Sequence, residues 1–119
     1  MPAQLELELL DSLRTEQQVV TTAVLPTKDY RNTDFAGGAQ AEQIIPGIVH
    51  LDSIYVVPER LGEGIRRKLI EHIEEWAKVN GAAAILCLTK SEAIDAEFLS
   101  ANGYHSLFGV AVKILSSTS

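Results

Sequence analysis

Two short stretches of this 119-residue chain combine residue types that can do chemistry. The first is Val57-Pro58-Glu59-Arg60-Leu61-Gly62-Glu63-Gly64-Ile65-Arg66-Arg67-Lys68. Two glycines run straight into a helical pattern, so bare backbone amides can approach a ligand at the positive end of a helix dipole. Arg66, Arg67 and Lys68 then place three cations in the first helical turn, where the dipole disfavours positive charge by roughly 0.3–1 kcal/mol each. Two readings are open for this cluster: it meets an anion such as phosphate or pyrophosphate, or it is solvated and paired with Glu59, Glu63 or Glu71. The turn is not a Walker A loop, because Gly-x-x-x-x-Gly-Lys-Ser/Thr is absent. Position 67 is Arg where the Gly-x-Gly-x-x-Gly dinucleotide fingerprint needs its last glycine.

The second stretch is His50-Leu51-Asp52. A spacing of two on a strand puts the imidazole and the carboxylate on one face. A carboxylate there can take up a proton, and a histidine can titrate near neutral pH. The structural alternatives are a solvated or hydrogen-bonded Asp52 and a packing role for His50. Tyr104 and His105 follow a turn at Gly103, as two further side chains that can reach the same cleft. No His, Cys, Asp or Glu grouping has metal-ligand spacing, so no metal is expected. Cys87 lies in the apolar run Ala83–Leu88 and reads as a small buried hydrophobe rather than a nucleophile.

The elements that hold these residues follow from periodicity. Ile48–Val57 is β-branched and apolar, ends at Pro58, and is a strand with apolar residues on both sides, which predicts a central strand covered on both faces. A helix is expected from about Gly64 to Asn80, with Ile65, Leu69, Ile73, Trp76 and Ala77 on its buried stripe and Ile70 beside it. Arg67–Glu71 and Glu74–Lys78 are spaced as solvent-side pairs, and Gly81 suits the left-handed position after the last turn. Ala82–Leu88 reads as a buried strand. Glu92–Asn102 reads as a helix with Ala93, Ala96, Phe98 and Leu99 on its apolar side, and Phe108–Leu115 as a closing strand. Upstream, Leu5–Leu10 alternates Leu with Glu in the period-2 pattern of a half-exposed strand, although both residues are also good helix formers, and Val19–Leu25 reads as a strand. Thr27–Pro46 reads mostly as loop, with Gly37-Gly38 as turn chemistry and a short helix near Ala39–Ile44. The alternation predicts an α/β architecture with a mixed or mostly parallel sheet flanked by helices.

The totals bound the function. The length allows one domain over residues 1–119, with a divergent part (1–46) before a ligand-binding core (47–115). A formal charge of −6 argues against a general nucleic-acid binder and against docking on an anionic membrane. No apolar stretch spans a bilayer and the first residues lack a signal-peptide pattern, so a cytoplasmic location (or the inside of a viral particle) is expected.

Residues 51–70 resemble the GNAT superfamily of N-acetyltransferases, at the central strand, the coenzyme pyrophosphate loop and the following helix. Ala82–Leu88 resembles the next strand, and Phe98-Leu99-Ser100-Ala101-Asn102-Gly103-Tyr104 the helix end usually read as Phe-Tyr-x-x-x-Gly-Phe. The resemblance implies a GNAT-like sheet abbreviated at the N-terminus. It also implies transfer of an acetyl group from acetyl-CoA to a small-molecule or protein amine. Backbone near Tyr55 and Val56 would run along the pantetheine arm, and the amides of Gly62, Glu63, Gly64, Ile65, Arg66 and Arg67 would cradle the pyrophosphate. Asp52, with His50, lies where the family's carboxylate base often sits. The chain departs from the pattern at four places. Leu61 and Arg66 replace the first and last loop residues of Gln/Arg-x-x-Gly-x-Gly/Ala. Leu99 replaces the tyrosine that often protonates the departing thiolate, and Glu92 stands for an asparagine. Family members usually carry two helices before the central strand that shape the acceptor site. The competing function is a non-catalytic GNAT-fold structural or interaction protein, such as an assembly component, in which a homo-oligomer covers exposed sheet.

Overall fold

The computed structural model describes residues 7–26, 33–62, 64–88, 95–108 and 110–115. The first half of the chain is an antiparallel meander: β1 (Glu8–Arg14), β2 (Gln18–Pro26), β3 (Thr33–Ile45) and β4 (Ile48–Val56). A single 3-10 turn (Pro58–Arg60) leads into α1 (Ile65–Val79), which crosses over to β5 (Ala84–Cys87), parallel to β4. The short α2 (Ala96–Ala101) then precedes β6 (His105–Leu107) and β7 (Val110–Ile114). The seven strands form one sheet in the order β1-β2-β3-β4-β5-β7-β6. It is mixed, as expected, but among the described residues β4–β5 is the single parallel pair, so the sheet is mostly antiparallel rather than mostly parallel.

The largest departure from expectation is β3. Residues 33–45 form a long strand, where loop and a short helix at Ala39–Ile44 were predicted. Ala, Gln and Glu favour helix locally, but pairing with β2 and β4 imposes a period of two. Ala39 and Ala41 are buried, while Gln40 and Glu42 point to the other face. Gly37-Gly38 does not turn the chain. A Cβ on Gly37 would land on the carbonyl oxygen of Tyr55, and one on Gly38 would come within 2.9 Å of the Thr21 carbonyl oxygen. The glycines let three strands approach closely.

The helical stripe read from sequence is the core. Ile65, Leu69, Ile70, Ile73, Trp76 and Ala77 are buried against Val19 and Ala23 of β2, Ala39 and Ala41 of β3, and Val49, Leu51, Ile54 and Val56 of β4. The indole Nε1 of Trp76 donates to the carbonyl oxygen of Thr15 at 2.8 Å, fixing α1 to the turn after β1. Glu74 corrects the solvent-side pairing with Lys78. It is buried, accepting from the Tyr104 hydroxyl at 3.0 Å and from Lys113 Nζ at 3.0 Å. Burial, and then the Glu74 charge, push the Tyr104 hydroxyl well above the usual tyrosine range. Ala96 is exposed at the start of α2 rather than buried, while Phe98 and Leu99 join the core. Cys87 is buried. The expected start of α2 (92–94) and the first residues of the Leu5–Leu10 stretch lie outside the described residues.

Candidate functional site

The expected central strand carries an irregularity that periodicity alone misreads. Gln40 pairs with Ser53 and Ala41 with Leu51, so Asp52 is an extra residue in β4, a β-bulge. The bulge resets the alternation. Val49 and Leu51 before it and Ile54 and Val56 after it all face α1, whereas His50, Ser53 and Tyr55 face the other way. Apolar residues on both sides of the sequence pattern thus reflect a phase shift, not a strand covered twice. The face opposite α1 carries exposed Leu10, Phe35, Tyr55 and Ile114, with the Phe35 and Tyr55 rings stacked 6.0 Å apart.

Around the bulge, β4 and β5 separate. They pair only at Ile48–Ala84, Val49–Ile85 and His50–Leu86, although β4 continues to Val56. Beyond His50 the β5-facing backbone of β4 therefore has no strand partner among the described residues, and an extended ligand can hydrogen-bond there as an added strand would.

That opening leads to the glycine turn. Gly62 and Gly64 have φ of +95° and +82°, left-handed values that favour glycine, and no atom lies within 4 Å of where their Cβ atoms would stand. Gly64 is the N-cap of α1 and supplies no side-chain cap, and the first turn has no acidic residue. The first amides of the helix are thus aimed at a cavity of about 260 Å³ lined by Arg60, Gly62, Gly64, Arg66, Arg67, Phe98 and Asn102. Glu63 lies outside the described residues. Ile65 turns its side chain into the core and contributes backbone only.

The basic cluster divides. Arg67 bonds Glu71 at 3.0 Å, the predicted i,i+4 pair. Arg66 instead reaches α2: its Cζ lies 4.5 Å from the centre of the Phe98 ring and its guanidinium 3.5 Å from Asp95. Asp95 also caps α2 by accepting from the Phe98 amide at 2.7 Å. The side chain at position 66 therefore lies across to α2 and forms one wall of the cavity. Arg60 lies 3.7 Å from Asp34.

His50 and Asp52 meet as their spacing predicts, with Nδ1 to Oδ1 at 2.6 Å. The imidazole Nε2 is buried with no partner among the described residues, and the Asp52 side chain is the more exposed of the pair. Sequence spacing missed a third member. Glu42 stands opposite His50 across the β3–β4 ladder, and a ligand atom from each of Glu42, His50 and Asp52 lies within 4.8 Å of the others. No linear signal links residues 42 and 50, because the β3–β4 register, not proximity in the sequence, sets them opposite. Tyr104 is core, and His105 sits on β6 at the opposite sheet edge from β1, away from this group.

The profile of the acetyltransferase (GNAT) family matches residues 5–104. The chain belongs to this family, and the match extends well before the residues whose motifs carried the resemblance. No curated protein sequence matches it. Among solved structures it is similar to an acetyltransferase of the GNAT family from Desulfovibrio desulfuricans, with 18% identity, a TM-score of 0.62, and 81% of this chain against 66% of that one. It is also similar to the PaiA N-acetyltransferase of Thermoplasma acidophilum in complex with coenzyme A, with 17% identity, a TM-score of 0.66, and 83% against 62%. For an acetyltransferase of Bacillus cereus the figures are 20%, 0.66, and 89% against 80%. The chain thus spans just under two thirds of the first two structures. Among the described residues no helix precedes β4, and none is long and apolar enough to cross a membrane.

Proposed function

We propose that the chain is an acyl-coenzyme-A-dependent N-acyltransferase that moves an acetyl group from acetyl-CoA to an amine. The observation that carries this reading is the alignment of two features around one opening: the β4–β5 separation that starts at the Asp52 bulge, and the uncapped, glycine-flanked start of α1. An extended arm fits the first and a pyrophosphate fits the second. Backbone of Tyr55 and Val56 would hold the arm. The amides from Gly62 to Arg67, with Arg66 beside them, would hold the phosphates.

The bound coenzyme supplies a thioester carbonyl activated towards nucleophiles. A neutral amine forms the new N–C bond there, the C–S bond breaks, and the thiolate leaves. Asp52 would accept the proton that the amine gives up, directly or through water, with His50 holding the carboxylate by its Nδ1–H, a reading supported by their 2.6 Å contact. Leu99, buried where a tyrosine would serve, leaves the thiolate to be protonated by water.

Isothermal titration with acetyl-CoA tests the reading: a saturable heat is expected, and Asp52→Asn should keep the binding while lowering kcat by about 10²-fold or more. No heat and no thermal stabilisation with acetyl-CoA would end it. A second reading, a non-catalytic scaffold that self-associates, draws support from Leu99 and from the exposed apolar residues opposite α1. Light scattering from a stable oligomer, together with no coenzyme heat, is its signature.

A further inference from the structure

Two demands meet on the guanidinium of Arg66. It lines the cavity of about 260 Å³ at the start of α1, with Gly62, Gly64 and Phe98. Its charge, however, is turned to α2: Nη1 lies 3.5 Å from Oδ2 of Asp95, and Cζ lies 4.5 Å from the centre of the Phe98 ring. Asp95 does not line the cavity, and its carboxylate divides its oxygens between two tasks. Oδ1 accepts from the Phe98 amide at 2.7 Å and caps α2, while Oδ2 faces Arg66.

The relative strengths decide which partner Arg66 keeps. At 3.5 Å the ion pair is longer than a good N–H···O bond, and the Asp95 side chain is 51% exposed, so the pair favours this arrangement by no more than about five-fold. A diphosphate in the cavity offers Arg66 several anionic oxygens, which a guanidinium can meet with two parallel N–H donors. The stack on Phe98 survives such an exchange, because a planar guanidinium can keep a ring against its face while its N–H edge changes partner.

We propose that Asp95 is a latch on the phosphate cavity: it holds Arg66 against α2 until an entering diphosphate takes the guanidinium, and it thereby lowers the affinity of the cavity. Asp95 is a positioning residue that acts through Arg66. Occupancy also unties the start of α2 from the start of α1, since the Arg66–Asp95 pair joins them. This deepens the acyltransferase reading by naming a control on its coenzyme site, and it rests on that reading only for which diphosphate ester enters.

Asp95→Asn separates the two tasks. The amide oxygen still caps α2, because Asn serves as an N-cap as well as Asp does. The NH₂ group in place of Oδ2 offers Arg66 only donors, and a guanidinium has no acceptor. Isothermal titration of the full chain with sodium pyrophosphate, at fixed pH and salt, reads the exchange. Wild type is expected to bind saturably, Asp95→Asn about two- to five-fold more tightly, and Arg66→Ala about ten-fold more weakly. Adding Asp95→Asn to Arg66→Ala should bring no gain, because the gain passes through the guanidinium. Acetyl-CoA should show the same tightening in Asp95→Asn. Unaltered Trp76 fluorescence shows that each variant is folded. The inference is overturned by no heat with pyrophosphate, by equal or weaker binding in Asp95→Asn, or by an undiminished gain in the Arg66→Ala background, the mark of direct repulsion by the carboxylate. Pyrophosphate binding with the expected pattern, but no binding of acetyl-CoA, would remove the acyltransferase reading and leave the latch standing. Acetyl-CoA binding that is indifferent to Asp95→Asn would do the reverse.

Discussion

At the scale of single residues, backbone demands decide more than side-chain chemistry does. Gly37 is a strand residue whose missing side chain lets β3 lie against the carbonyl of Tyr55. Both sides of that contact are backbone in the centre of a sheet, so neither can yield cheaply. Gly37→Ala is therefore expected to destabilise the chain by about 1–3 kcal/mol, read as a lower urea midpoint. An unchanged midpoint would show that β3 and β4 do not approach as described. Gly62 and Gly64 need glycine for a different reason. Space is open around both, but their left-handed φ disfavours any other residue. Arg66 shows one residue in two contacts, stacking on Phe98 while pairing with the Asp95 cap, which joins the starts of α1 and α2.

At the scale of elements, a strand can be reset by one residue and a strand edge can be fastened by one. The extra residue at Asp52 turns Ile54 and Val56 back to the α1 side and projects the carboxylate beside His50. A second irregularity, between Asp11 and Leu13 of β1, accompanies a fastening at the sheet edge. There Asp11 accepts from Thr21 Oγ1, from His72 Nε2 of α1 at 2.8 Å and from Arg14 at 3.1 Å. Burial alone would raise the Asp11 carboxyl, but the hydrogen bonds from Thr21, His72 and Arg14 outweigh it and hold the group below the usual carboxylate range. A carboxylate depressed by folding adds stability that is fully present above its unfolded value of about 3.9 and disappears as pH falls through the lower folded value. Asp11→Asn should thus lower stability at pH 7 by no more than about 1 kcal/mol, since the group is near the surface. The gap between the two proteins should close in the acid range. Parallel pH–stability curves for wild type and Asp11→Asn would contradict the assignment.

At the scale of the whole molecule, one tryptophan and one buried acid tie distant parts of the chain together. Trp76 is fully buried and joins α1 to Thr15, sixty-one positions earlier, so its indole links the β1–β2 end of the sheet to the crossover helix. Trp76→Ala removes both packing and a hydrogen bond, at an expected cost of about 3–5 kcal/mol. That is a large part of the roughly 5–15 kcal/mol that holds a domain folded. Calorimetry should show a large fall in Tm, and Trp76→Phe should recover most of it. Glu74 does the same work at the other end. Its carboxylate joins Tyr104 after α2 and Lys113 of β7 to α1. The outcome is a lopsided molecule, with α1 packed on one face of the sheet and exposed apolar residues on the other.

The local part of this structure is readable in the chain. The stripe of α1, the strands β4 and β5 and the glycine turn all rest on spacing within one element or between neighbours, and those elements carry the family resemblance. Helical and strand periodicity act over a few residues, so a linear reading sees them. Other features needed partners far along the chain. Gly37-Gly38 became a strand only because β2 and β4 lie beside it, and the helix formers of Ala39–Ile44 yielded to that pairing. The mixed pattern of β4 became a bulge only through its register with β3. Glu74 left the solvent side because Tyr104 and Lys113 arrive there, and Glu42 joined His50 because two strands set them opposite. The sequence by itself determined the family and the glycine turn, since both are written in contiguous residues. Tertiary structure alone decided the grouping of Glu42, His50 and Asp52, because cross-strand register, which no single segment encodes, places them together.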